Sequence, residues 1–268
     1  MKILMLHGFT QNSWTFQRKL RRLTERLQKT FPDTELVWPE GQILLNPSEI
    51  PGTNYERQTV EGPEIRAWFH LQNMDALEDP KSGLMEGINM LVEVLQRDGP
   101  FDGVIGFSQG TVLAAILASL LQGKTRLDAF QRAGQNCPHI MPYPETFTKI
   151  RHPPFKFGVL YAGRVLANST VFFDWLYEDP PIDTSFCHFV GKWDPMVDHH
   201  EREAVLTRLC GGQSRTITHG GGHFVPVDDR AIAQVVDFIA ECSNRIDSAY
   251  GSGSSQGSSV DGSCAVED

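Results

Sequence analysis

The first hydrophobic signal is Lys2–Leu6 (KILML), an apolar run that reads as a buried strand. Phe16, Leu20, Leu23 and Leu27 then recur at i, i+4, i+7 and i+11, which is one face of a helix. Asn12 or Ser13 can cap its start and Pro32 closes it. Glu35–Trp38 reads as a short second strand. Pro39–Ser82 is irregular, rich in Pro and Gly, with one short helix expected around Ile65–Leu71. Leu84, Ile88, Leu91, Val92 and Leu95 form a second helical stripe, ended by Gly99-Pro100. Phe101–Ile105 is the next strand, and Thr111–Leu121 (TVLAAILASLL) is apolar nearly all round, as a buried helix requires.

Beyond it, Gln122–Pro154 is polar and loop-rich. Phe155–Tyr161 and Ser185–Val190 have the composition of central strands, Val205–Leu209 belongs to a helix, and Ser214–Thr218 is a last short strand. Ile232, Val235, Val236 and Ile239 mark a final helix that Asp228 or Asp229 can cap. Strands alternating with helices imply a mostly parallel sheet with helices on both faces, an α/β fold. Residues 1–245 are expected to form one domain. Residues 246–268 read as a Gly/Ser-rich tail with little to bury, expected to be disordered. Pro39–Ser82 and Gln122–Pro154 are either loops over a site or ordinary surface connections.

Composition narrows the function. The 268 residues are 40% hydrophobic and carry a formal charge of −9. Asp261, Glu267 and Asp268 put −3 of this in Ser248–Asp268, which has no Lys or Arg, leaving −6 for the rest. That balance argues against nucleic acid or an anionic membrane as partner. Cys137, Cys187, Cys210, Cys242 and Cys264 are odd in number, widely spaced and without C-x-x-C, which argues against a disulfide framework or a cysteine zinc site. Free thiols suit a reducing compartment. With no h-region at the start and no run approaching the ~18 apolar residues of a membrane span, a cytoplasmic protein is expected.

The chemistry centres on Gly106-Phe107-Ser108-Gln109-Gly110. G-x-S-x-G is a short pattern, but here a buried strand runs into it and a buried helix leaves it, the setting of a nucleophile elbow. Ser108 then stands at a helix N-terminus, where free N–H groups favour developing negative charge. A serine hydroxyl needs a base, and in this arrangement an acid and a histidine follow on loops after later strands. Lys192-Trp193-Asp194-Pro195 follows one strand, and His219-Gly220-Gly221-Gly222-His223 follows the last. Asp198 competes with Asp194, but Asp194 is nearer the strand end and Asp198 reads as a helix start. His219 competes with His223, but it lies nearer the strand, where it can pack or cap. Asp194 and His223 are therefore the expected acid and base. The His219/His223 pair also has H-x-x-x-H spacing, yet it sits in a glycine loop and lacks the Glu of a helical zinc motif, so no metal is expected. No G-x-G-x-x-G or P-loop occurs, so no cofactor is expected either.

The second oxyanion donor should come from the end of the first strand. In Leu6-His7-Gly8-Phe9, Gly8 permits a sharp turn that frees the Phe9 N–H. The partner donor is the N–H of Gln109, the residue after the serine. His7 itself reads as structural, and Trp14, Phe16 and Trp68 as core or pocket wall.

Taken together, LHGFTQN, RAWF at Arg66–Phe69, FDGVIGFSQG, GKWDPMV and HGGGHFVP resemble the fungal FSH family of serine hydrolases. That family includes animal ovarian-cancer-associated-protein-2 homologues and thioesterases and esterases of polyketide clusters. The resemblance spans about residues 2 to 240. It implies a minimal α/β-hydrolase without the first antiparallel strands, Ser108, Asp194 and His223 as the triad, and Phe9 and Gln109 as the oxyanion hole. It further implies a small-molecule ester or thioester substrate, such as a carrier-protein-bound polyketide or its ester. Acyl transfer on the same scaffold and a non-catalytic binding module are the competing readings.

Overall fold

The computed structural model describes residues 1–46, 50, 64–70, 83–136, 140–163, 174–177, 180–196 and 214–251. In chain order these form β1 (Lys2–Leu6), α1 (Ser13–Thr30), β2 (Glu35–Val37), β3 (Ile43–Leu44), β4 (Arg66–Ala67), α2 (Leu84–Asp98) and β5 (Gly103–Phe107). Next come α3 (Gln109–Leu120), α4 (Lys124–Asn136), β6 (Phe157–Tyr161), α5 (Asp174–Tyr177), β7 (Ser185–Gly191), β8 (Arg215–His219) and α6 (Asp229–Gly251). A 3₁₀ turn spans Glu145–Thr148.

The main sheet has the order β2-β1-β5-β6-β7-β8, and every neighbouring pair is parallel. Side chains alternate across a strand, so β1 sends Leu4 and Leu6 to one layer and Ile3 and Met5 to the other. The first layer packs on α2 and α3, the second on α1 and α6. With both faces covered, the central strands must be apolar throughout, which is why they read as continuous runs. Among the described residues no helix is long and apolar enough to cross a membrane.

Helix α1 buries Phe16, Leu20, Leu23 and Leu27, as the spacing predicts. Asn12 is its cap, accepting the Thr15 N–H at 2.8 Å. All twelve residues of α3 are buried. At α6, Asp228 is the cap, its Oδ1 accepting the N–H groups of Arg230 and Ala231.

Several expectations are corrected. No helix covers Ile65–Phe69: Arg66–Ala67 is a strand antiparallel to β3. Its backbone groups are taken by distant partners, the Arg66 N–H by Gln11 O at 2.9 Å and the Trp68 carbonyl by the Gln42 amide at 2.6 Å, so no helical ladder can form. Gln122–Pro154 is not loop throughout, since α4 fills Lys124–Asn136. Its buried stripe contains Arg126, fully enclosed and donating to the carbonyls of Trp175 and Pro180 and to the Gln122 side chain, which hides the apolar period. Strand β5 begins at Gly103, two residues later than expected. Helix α6 continues to Gly251, so 246–251 is helical rather than tail. The remaining tail, 252–268, and the helix expected at Val205–Leu209 lie outside the described residues.

Candidate active site

Parallel strands bring all their C-terminal ends to one edge of the sheet. Ser108 sits there, between β5 and α3, at φ 49° and ψ −113°. This is a sparsely populated conformation that costs on the order of 1–3 kcal/mol and must be held from outside. The Ser108 N–H donates to Tyr161 O on β6 at 2.9 Å, and its carbonyl accepts the Thr111 N–H at 2.9 Å and the Thr111 hydroxyl at 2.6 Å. The turn also needs bare backbone beside it. A Cβ at Gly110 would stand 2.2 Å from Leu6 O, so only glycine lets α3 start against the end of β1.

The loops after β7 and β8 are tied together. The Lys192 N–H donates to His219 O at 2.8 Å and the Trp193 N–H to Gly221 O at 2.9 Å. This pairing brings His223 between Ser108 and Asp194. His223 Nε2 lies 2.8 Å from Ser108 Oγ, and His223 Nδ1 lies 2.9 Å from Asp194 Oδ2. The other oxygen, Asp194 Oδ1, accepts the Met196 N–H at 2.9 Å. The Asp194 side chain is 1% exposed while that of His223 is 23% exposed, so the carboxylate is enclosed and the imidazole reaches the surface. A carboxylate only accepts hydrogen bonds. It therefore holds the proton on Nδ1 and leaves the Nε2 lone pair facing the serine hydroxyl. The imidazole also packs on Phe107, ring centres 5.4 Å apart.

His219 does not join this chain. Its Nδ1 accepts the Gly221 N–H at 3.3 Å, its ring meets Phe224 edge-on, and burial pulls its pKa down. Asp198 lies outside the described residues. Among the described residues no group of three or more His, Cys, Asp or Glu side chains comes together to hold a metal.

Phe9 lies just past the end of β1 and Gln109 directly follows Ser108. The Gln109 side chain has a role the sequence reading did not foresee. Its Oε1 accepts the Trp68 N–H at 2.9 Å and its Nε2 donates to Phe69 O at 2.7 Å. The indole N–H of Trp68 in turn donates to His7 O at 2.8 Å. A buried amide at the head of an otherwise apolar helix was the available signal. Trp68 and Phe16 are core, as expected, whereas Trp14 is half exposed with Arg18 over its ring. Trp193, Met196 and Phe224, each one or two residues from the acid or the base, are exposed.

A solved structure of Arabidopsis thaliana SOBER1 matches with a TM-score of 0.55 at 16% identity, over 91% of this chain and 99% of that one. The shared architecture is the α/β-hydrolase fold. Esterase OVCA2 of Danio rerio is 28% identical over 249 residues, covering 89% of this chain and 96% of that protein. An uncharacterized hydrolase of Schizosaccharomyces pombe is 27% identical over 248 residues; the match covers 89% of this chain but only 50% of that longer protein. A family model described as serine hydrolase (FSH1) matches residues 1–235, nearly the whole region of sheet and helices, and the chain therefore belongs to the FSH1 family of serine hydrolases.

Proposed function

We propose that the protein cleaves carboxylic esters or thioesters through an acyl-serine intermediate. The observation that carries this reading is the unbroken chain from Ser108 Oγ through His223 to Asp194, with both links under 3 Å. Ser108 Oγ attacks the substrate carbonyl carbon as His223 Nε2 takes its proton. The carbonyl oxygen becomes an oxyanion, which the N–H groups of Phe9 and Gln109 receive. Collapse of the tetrahedral adduct expels the alkoxide or thiolate, protonated by His223, and leaves the acyl group on Ser108. A water molecule then repeats the sequence and frees the acid.

The apolar surface of Trp193, Met196 and Phe224 beside the acid and base supports an acyl group as the recognised part of the substrate. A small or medium acyl ester or thioester fits best, including a polyketide-type product presented on a carrier protein. A cytoplasmic setting accords with Cys187 and Cys242, which are buried and in no disulfide, and Cys187 has its pKa pushed up to about 12 by burial.

The test is labelling by a fluorophosphonate probe, followed by turnover of matched oxygen esters and thioesters. Ser108→Ala should abolish labelling and lower kcat by on the order of 10³ or more. Retention of a tenth of wild-type turnover would sink the acyl-serine mechanism. Product analysis with an added alcohol or amine separates hydrolysis from acyl transfer, and absence of labelling in the wild type would point to a binding module.

A further inference from the structure

His7, the residue after β1, is fully buried, and its two ring nitrogens have partners of opposite kinds. The Gly41 N–H donates to Nε2 at 2.9 Å. A backbone N–H can only donate, so Nε2 must carry the lone pair and the ring proton must sit on Nδ1. Nδ1 lies 2.9 Å from Gly8 O and therefore donates to it. The same carbonyl accepts the Gln11 N–H at 3.2 Å.

Gly8 C=O and Phe9 N–H are the two ends of one planar trans peptide, and they point in opposite directions. Whatever fixes the carbonyl also aims the N–H. We propose that His7 is a positioning residue for the reaction: by holding Gly8 O it sets the direction of the Phe9 N–H, the oxyanion donor from the β1 loop. The inference rests on the acyl-serine reading above.

The ring that does this is itself braced from the nucleophile side. It stacks on Trp68, centres 4.7 Å apart and planes 29° apart, while the Trp68 indole holds the His7 carbonyl and the Gln109 side chain holds the Trp68 backbone. Gln109 also supplies the other oxyanion N–H. The two donors, about a hundred positions apart in sequence, are thus joined through Trp68 and His7 into one rigid frame. Such preorganisation makes fixed donors effective, because they need no reorientation as charge develops.

The experiment compares wild type with His7→Asn, His7→Gln and His7→Ala. An Asn amide can occupy the place of Nδ1 and donate to Gly8 O, whereas Gln reaches toward Nε2. Loss of one oxyanion donor costs on the order of 10²–10³ in kcat, so a misdirected donor should cost about 10–100-fold. His7→Ala and His7→Gln should lose that factor in kcat for a p-nitrophenyl ester, with KM within about threefold of wild type. Affinity for a trifluoromethyl ketone, whose serine adduct bears an oxyanion, should fall in parallel, and His7→Asn should recover most of both. A purely structural histidine would lower thermal stability without this parallel loss. If His7→Ala and His7→Gln keep kcat and ketone affinity within threefold of wild type, the proposal is overturned. Should the variants fail to fold, ¹⁵N shifts of the His7 ring in the wild type decide: a proton on Nε2 overturns the proposal, and a proton on Nδ1 supports it. Failure of the underlying reading looks different, since the ketone would then not inhibit the wild type at all.

Discussion

Gly191, the last residue of β7, lies against the carbonyl of Gly222, the residue before His223. A Cβ at 191 would stand 2.3 Å from Gly222 O. The strand that leads to Asp194 is therefore in direct backbone contact with the loop that carries His223. Gly191→Ala should push the two apart, lowering kcat/KM by about tenfold or more, since misplacement of ~1 Å can cost 10²-fold. Thermal stability should fall far less than activity. Wild-type kcat/KM in this variant would show that the contact is slack.

Asp194→Asn should lower kcat by on the order of 10²–10⁴, because the amide no longer enforces the Nδ1–H tautomer of His223. His219→Ala should leave kcat within a few-fold of wild type, since its ring faces Phe224 and not Ser108. Steady-state rates on a p-nitrophenyl ester check both. A large loss in His219→Ala with little loss in Asp194→Asn would reverse the assignment.

Stability should decline in acid because histidines are buried in neutral form. Desolvation lowers the pKa of His188 to about 3 and lowers those of His7 and His152 as well. A folded-state pKa below the unfolded value means that the unfolded chain binds more protons in between. Stability is then complete above the unfolded value of ~6.5 and is lost as pH falls toward 3. Each such group contributes a slope of up to ~1.4 kcal/mol per pH unit. Tm should drop steadily from pH 7 to pH 4.5, and His188→Gln should flatten the drop whatever it does to Tm at pH 7.5. An unchanged slope in His188→Gln would remove His188 from the explanation.

Arg126→Met should destabilise the fold by ~3 kcal/mol. The arginine donates to the Trp175 and Pro180 carbonyls inside the protein, and their loss leaves buried acceptors without partners. Urea unfolding measures it. A change under 1 kcal/mol would mean that the surroundings rearrange to supply other donors.

The residues that could be read from sequence were those whose signal is local. Helix α1 shows its buried face at helical spacing, and Ser108 stands between two apolar runs that become β5 and α3. Asp194 and His223 could be placed because each follows a strand closely. Helix α4 was not legible because a buried arginine interrupts its apolar stripe, and two of its acceptors are carbonyls about fifty positions away. Residues 66–69 were misread for the same kind of reason, since their backbone partners are Gln11, Gln42 and Gln109, which no local pattern reveals. The Gln109 amide was expected only for its main-chain N–H, while its side chain contacts residues forty positions upstream.

The Ser108–His223 hydrogen bond joins residues 115 positions apart, and the loop that carries His223 follows β8, three strands across the sheet from β5. Parallel sheets are built from such distant pairings, which form slowly because chain ends must meet before any contact rewards them. During refolding from urea, helical circular dichroism should therefore return well before esterase turnover. Turnover can serve as the clock for the final closure of the sheet, a step that spectroscopic signals from the helices would miss.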